Sequence, residues 1–504
     1  MRARVAALIS SCAIAFTAGA AISVPANVDY PRAPSLMRIY KLKKAPETAA
    51  KLATVLDISV EAIVEPNGVD VAFFRPYSTP APAASLVPPA VIVKGLFTGR
   101  LPDDPAGTEF AASPSFVLMR QFVNKNQSPG APEEVSTFVR MDRFVDGLRV
   151  FGTGSLAIAE VRGSEIVGTV SRWDRAVPFL MKPTLELNES RIKNEFASKV
   201  GGFTGTAVVE PDSPELVYVG DRQFLEPAYR VLYRIPRHLL PDGTIVPDDF
   251  GVLYVPATEP MPRPSEPVEL FNPIQCPDAV AGVQGIPLDL YAMFDFSFDW
   301  AGSARAFRKS MTNQSGITGR RFCYLESRML GTDKKYFLNS IPVAHLETHG
   351  LPGFVLTAED DGVKLAQTGG YGVDEEQGQL RLLVLHSCEV IESHCDNPNW
   401  YQTWFAVFRG LHTAVGYRTK ALMDGVPAAF GVHVVSGRPI LRSWIAEVAA
   451  VPDYRKGHVV ESTGGPKPLG RPAAVTVCKH DHDTLHELAD LSNPQCLVSY
   501  WLKN

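Results

Sequence analysis

Along residues 136–142 apolar and polar side chains alternate, the period of a half-buried strand. Asp146-Gly147 interrupts the alternation with a strong hairpin signal, and residues 154–161 resume it. Over 187–200 the period changes: Ile192, Phe196 and Val200 share one helical face, with Asn188 placed as the N-cap. Further strands are expected at 215–219, 229–235 and 251–255. Beyond them the rhythm becomes strand, helix, strand. Strands are expected at 289–296, 321–328, 340–348, 380–387, 411–417 and 473–478, and helices at 302–311, 399–409 and 439–450. In the second helix Tyr401, Phe405 and Phe408 lie near one face, as a covering helix requires. Such alternation predicts a mainly parallel sheet flanked by helices. Two Pro-rich stretches, 76–89 and 256–267, read as linkers. The second divides an α+β first half from an α/β second half.

The chain has 504 residues, 45% hydrophobic and 20% charged, within the usual range for a folded soluble protein. A net charge of -5 gives no general attraction to nucleic acid or anionic membrane, so neither is expected as a partner. Arg2 and Arg4 precede an apolar run over 5–18, and Ala18-Gly19-Ala20 follows with small residues. That is the layout of a secretory signal peptide over 1–20, and the protein is expected to be secreted and extracellular. The run falls short of the roughly 20 apolar residues needed to cross a bilayer. Removing the signal leaves Cys276, Cys323, Cys388, Cys395, Cys478 and Cys496, all in the second half. An even count in an exported chain suggests disulfides. A free nucleophile among them would leave the remainder odd.

Two of the expected strands end in reactive residues. One runs into His349-Gly350 and the other into Cys388. Ligands of open α/β sheets sit at the carboxyl ends of the strands, so both side chains would reach one edge. A thiol needs a neighbouring base to become thiolate at neutral pH, and histidine suits that role. Gly350 would allow close backbone approach, and its N–H with that of Cys388 could form an oxyanion hole. Asp295, Asp299 and Glu389 are candidates for lining the substrate pocket near this edge. His386 shares the face of Cys388, two residues earlier, and is read as a core or surface histidine. Cys395 is close enough in sequence to bridge Cys388, which would block or redox-gate the nucleophile. A metal is not expected. The zinc motif His-Glu-x-x-His is absent, and His345 and His349 are too far apart if their segment is a strand. His480, His482 and His486, near Cys478, read as a polar loop, although such a cluster could bind zinc. No cofactor is expected.

These residues carry two resemblances. Arg143-Phe-Val-Asp-Gly-Leu-Arg-Val-Phe-Gly-Thr-Gly-Ser-Leu resembles the propeptide motif of thermolysin- and fungalysin-type peptidases, and residues 184–256 resemble the PepSY domain that follows it. Thr348-His349-Gly350 and Ser387-Cys388 resemble the paired strand ends of clan CD cysteine peptidases: caspases, legumain, gingipains, separase and CHAT domains. Glu389 agrees with the acidic residue that follows the cysteine in legumain and CHAT domains. The Gly410-to-Tyr417 segment is similar to the Gly-rich strand after the nucleophile. Val390 departs from the pattern, since caspases and gingipains carry glycine there. Between the signal peptide (1–20), the N-terminal segment and linker (27–90) and the Pro-rich linker (256–272) read from the residues, the resemblances imply a propeptide-like region (91–255) and a caspase-like (caspase-hemoglobinase) domain (273–504). It further implies a secreted cysteine endopeptidase acting on polypeptides, with its own N-terminal region as inhibitor or chaperone until cleavage near the linker. The alternatives are a catalytically silent caspase-like domain that binds protein or polysaccharide, and a divergent zinc hydrolase.

Overall fold

The computed structural model describes residues 21–503, apart from 67–69, 78–84, 103–107, 114, 200–205, 222, 237, 240–244, 247, 263–288, 296–300, 313–316, 323–326, 358–361, 373–377, 423–425, 452–457, 462–464, 489 and 492. The expected signal peptide and Asp299 therefore lie outside the described residues, as do Cys276, Cys323 and residues 263–267 of the second Pro-rich stretch.

The protein is mixed α/β, rich in sheet and sparing in helix. In the second half five strands run parallel, in the spatial order Thr318–Phe322, Asp289–Asp295, Val343–Glu347, Leu382–His386 and Thr413–Tyr417. Val343–Glu347 and Leu382–His386 are buried at every position, as strands covered on both faces must be. Alternate residues divide between two cores. Val343, Leu382, Val384 and Val415 pack with the helices Ala301–Thr312, Val426–Val435 and Ile440–Ala449. Ala344, Leu346, Leu383 and Leu385 pack with Trp400 and Trp404 of the helix Trp400–Val407.

The expectation of a mainly parallel sheet is corrected. Past Thr413–Tyr417 the sheet turns antiparallel, through Pro472–Val477 to Cys496–Leu502. A disulfide between Cys478 and Cys496 ties the ends of these two strands together. Cys496–Leu502 does not end the sheet. It pairs antiparallel with Phe116–Asn124, and the sheet continues through Glu133–Val145, Ser155–Arg162, Glu165–Trp173 and Val71–Phe74. One sheet thus crosses the boundary that the Pro-rich linker suggested. The first half fills what would otherwise be an open edge with unpaired backbone groups.

Buried charges reinforce this junction. Arg442, on the helix Ile440–Ala449, has no solvent exposure and donates to Glu160, also fully buried. Arg172 donates two hydrogen bonds to Glu447, at 2.8 and 2.6 Å, and His433 lies between Glu447 and Glu65.

In the first half, Asp146 and Gly147 take the left-handed conformation (φ 51° and 75°) that a tight hairpin needs. The strand returning from it is Leu148–Thr153, which precedes the expected one at Ser155–Arg162. Leu148–Thr153 pairs with Glu133–Val145 on one side and runs parallel to Glu215–Asp221 on the other. It thereby joins the main sheet to a second layer containing Phe224–Ile235, Asp249–Pro256, Leu36–Lys43 and Arg175–Pro183. The expected helix is Glu189–Lys199; Asn188 Oδ1 accepts from the Arg191 N–H at 3.0 Å, and Ile192 and Phe196 are buried against Tyr229 and Tyr233.

The sequence pattern misplaces some elements. The strand expected at 321–328 is Thr318–Phe322, with Ser327–Leu330 a helical turn. The helix Val426–Val435 was not anticipated, because its residues are apolar on nearly every side and show no period. Among the described residues no helix is long and apolar enough to cross a membrane.

Candidate functional site

In the parallel register Glu347 pairs with His386, and Asp295 pairs with Glu347 on the other side. His349 and Cys388 each follow two residues further on. Both therefore lie just past the paired ends of neighbouring strands, at the carboxyl edge of the sheet. Of the expected pocket residues, Asp295 reaches this edge in the backbone, and Glu389 sits in the turn just after Cys388.

Gly350 is packed against that turn. A Cβ built on it would lie 2.3 Å from Val390 Cγ2, 2.5 Å from the Cys388 carbonyl oxygen and 2.9 Å from Ser387 Cβ. Only glycine fits, and Val390 fills the space that Gly350 leaves. Gly350 opens a small hairpin with Phe354–Leu356, in which the Leu356 N–H donates to the His349 carbonyl at 3.0 Å. Antiparallel ladders alternate bonded and non-bonded pairs, so the Gly350 N–H falls at a position the hairpin does not use. Gly350→Ala is expected to destabilise the fold by roughly 1–3 kcal/mol, the usual cost of overpacking. Urea unfolding would show it, and an unchanged midpoint would mean that the two strand ends are not in contact.

Cys388 is 1% exposed and belongs to the core that the three helices cover. Its Sγ accepts from the Ala421 N–H at 3.3 Å. Glu389, next along, is nearly buried and holds φ at 57°, a left-handed conformation that side chains other than glycine rarely adopt. Its N–H donates to the Thr419 carbonyl at 3.3 Å. The segment over the thiol is itself held from the first half of the chain: Lys420 Nζ donates to the Asp248 carbonyl at 2.7 Å, and Phe250 bridges Leu422. Here the first half of the chain reaches the candidate nucleophile.

The proposed Cys388–Cys395 bridge is not formed; both are free thiols. Cys388 faces inward. Cys395 is exposed on a turn fixed by the Ser393 N–H and Oγ, which donate to Asp396 Oδ2 at 3.0 and 2.6 Å.

Sequence reasoning missed a second polar group on the same face. His345, Glu347 and His386 are all buried and converge, with one potential ligand atom from each within 4.8 Å of the others. His386 Nδ1 lies 2.6 Å from Glu347 Oε1, and His386 Nε2 donates to the Leu422 carbonyl at 3.2 Å. The signal was present in the chain: His-x-Glu on one strand and His-x-Cys on its neighbour place all four side chains on one face. Burial, then the neighbouring His386, pushes His345 well below its ordinary value, so it is a neutral imidazole at neutral pH.

His480, His482 and His486, read from the sequence as a polar loop, do not converge on one point. His486 Nε2 donates to the Val435 carbonyl, and His482 packs against Tyr77. His480 instead joins His412 around Asp483, with His412 Nδ1 2.6 Å from Asp483 Oδ2. This second group lies at the other end of the sheet, before the strand Thr413–Tyr417.

None of the curated proteins matches this chain. Residues 296–468, which carry both His349 and Cys388, match the family model described as a domain of unknown function, DUF6345.

Proposed function

We propose that the protein is a latent cysteine endopeptidase in which His349 and Cys388 form the catalytic dyad. The observation that carries this reading is the pairing of the two strands, which ends at Glu347 and His386, two residues short of His349 and Cys388, with Gly350 pressed against the cysteine's own carbonyl at the edge where α/β sheets hold ligands. His349 takes the Cys388 proton, and the thiolate adds to the substrate's peptide carbonyl. The Gly350 N–H is available to the oxygen that becomes negative. His349 then returns the proton to the departing amine as the C–N bond breaks. Water, deprotonated by the same imidazole, hydrolyses the thioester and regenerates the thiol.

Latency follows from coverage. The thiol is buried, engaged by Ala421, and roofed by a segment held by Asp248 and Phe250. Because one sheet spans both halves, cutting the linker would not by itself shed the first half. Activation is therefore an opening of the 420–422 segment rather than loss of a detachable propeptide. A polypeptide is the expected substrate.

The same burial favours a second reading, a catalytically silent domain that binds a partner. Degradation of a reduced, carboxymethylated protein by Lys420→Ala, which frees the roof, separates the two. The peptidase reading expects cleavage that Cys388→Ala abolishes and that His349→Ala slows by about 10²–10⁴-fold. Cleavage that survives Cys388→Ala, or none in any form, favours the silent domain.

A further inference from the structure

We propose that His345, Glu347 and His386 form a buried site for one divalent transition metal ion of the zinc class, set directly behind the candidate dyad. The proposal is independent of the peptidase reading.

Full burial makes the group unusual. Among the described residues neither ring nitrogen of His345 makes a hydrogen bond, although the side chain has no exposure. Leaving such polar atoms unsatisfied in a protein core is costly, because they lose their hydrogen bonds to water and gain none. One side of the ring meets Phe307, with centroids 4.6 Å apart, so the imidazole is clasped by apolar surface there. Its Nε2 lies 3.4 Å from Glu347 Oε2. Two donors of a tetrahedral zinc, each about 2.0–2.2 Å from the metal, lie at about this separation.

His386 is oriented as a metal ligand is. Its Nε2 faces the Leu422 carbonyl, which can only accept, so Nε2 carries the proton and a neutral ring has its lone pair on Nδ1. That lone pair points at a carboxylate oxygen, also an acceptor. At 2.6 Å a proton lies between them, and a metal taking its place would spread the pair to the wider separation of two zinc donors. Imidazoles that bind metals characteristically donate their other N–H to a backbone carbonyl, as this one does. Two imidazoles and a carboxylate select zinc-like ions over calcium or magnesium, which prefer all-oxygen shells. Three protein ligands leave one tetrahedral position for water. The strands preorganise the set, since Glu347 and His386 are register partners and His345 precedes Glu347 by one pleat repeat.

The test uses the full chain, purified with zinc present and dialysed against metal-free buffer. The proposal expects about one zinc per chain by elemental analysis. It further expects a melting temperature that rises by several degrees on zinc addition to the chelator-stripped protein, and an X-ray absorption spectrum with two imidazole ligands. His345→Leu should lose the metal. Asp483→Asn should keep it, which separates this site from the group around His412; that side chain is partly exposed and outside the core, so this arm holds even if His345→Leu fails to fold. Wild type without zinc above the buffer blank, or metal lost in Asp483→Asn, overturns the proposal. So does a His345→Leu variant that melts higher than wild type, as expected if the histidine is merely an unsatisfied group.

Discussion

Replacing Glu160 with alanine is expected to lower the stability of the chain by roughly 3–5 kcal/mol, the cost of stranding a buried charge. Glu160 has no exposure and accepts from the Tyr77 and Ser136 hydroxyls, each at 2.5 Å, and from Arg442 Nε at 2.8 Å. Arg442, equally buried, depends on it; the other acceptors within its reach are the carbonyls of Arg75 and Val167. Ser136 and Glu160 belong to the first half and Arg442 to the second, so the variant attacks the junction. Urea unfolding followed by tryptophan fluorescence would read the loss. Replacing the pair together, Glu160→Leu with Arg442→Met, should recover much of it, because no charge is left unpaired. A single variant within about 1 kcal/mol of wild type, the scale of an exposed ion pair, would show that the halves are not joined through this contact.

The second large effect is on pH dependence. Burial alone would lower His433, but hydrogen bonds to Glu447 and Glu65 outweigh it and raise the imidazole from 6.5 to about 9. Burial would likewise raise Glu447, yet the charge of Arg172 and the hydrogen bond from His433 bring it from 4.5 to about 2. The histidine's contribution is fully present below pH 6.5 and is lost as pH climbs through 9. The glutamate's is present above pH 4.5 and is lost as pH falls through 2. Stability should therefore be greatest between about pH 4.5 and 6.5. At about 1.4 kcal/mol for each pKa unit the alkaline loss is on the order of 3 kcal/mol. The two shifts describe one interaction and are not added. Melting temperature against pH tests this: His433→Gln should flatten the decline between pH 7 and 9, and an equal decline in wild type and variant would contradict it.

Much of the second half was legible because its strands are short apolar runs that end in polar residues. Val343–Glu347 and Leu382–His386 lie inside the expected strands, and their ends carry the expected His349 and Cys388. The edges were less legible. Cys496–Leu502 is a strand because Pro472–Val477 and Phe116–Asn124 lie on either side of it, and the second partner is nearly 400 residues away in sequence. No local period encodes such a pairing, so the linker looked like a boundary between independent domains. The polar trio was overlooked for a different reason. The segment reads as a strand, which sets His345 and His349 apart; the same period of two groups His345 with Glu347, but only the parallel register, which no local pattern encodes, adds His386. The Cys388 roof could not be read either, since Ala421 and Leu422 act through backbone atoms.

The most direct test of the central claim is the alkylation rate of Cys388 at pH 7 in Lys420→Ala, with and without His349→Ala, mapped by mass spectrometry against exposed Cys395. An ordinary thiol with a pKa near 8.5 is only a few per cent thiolate at that pH. With the roof loosened, Cys388 should react at least about 10-fold faster than Cys395, as a largely ionised thiol would, and should lose that advantage when His349 is removed. A Cys388 that reacts no faster than Cys395, or at the same rate with and without His349, would contradict the dyad.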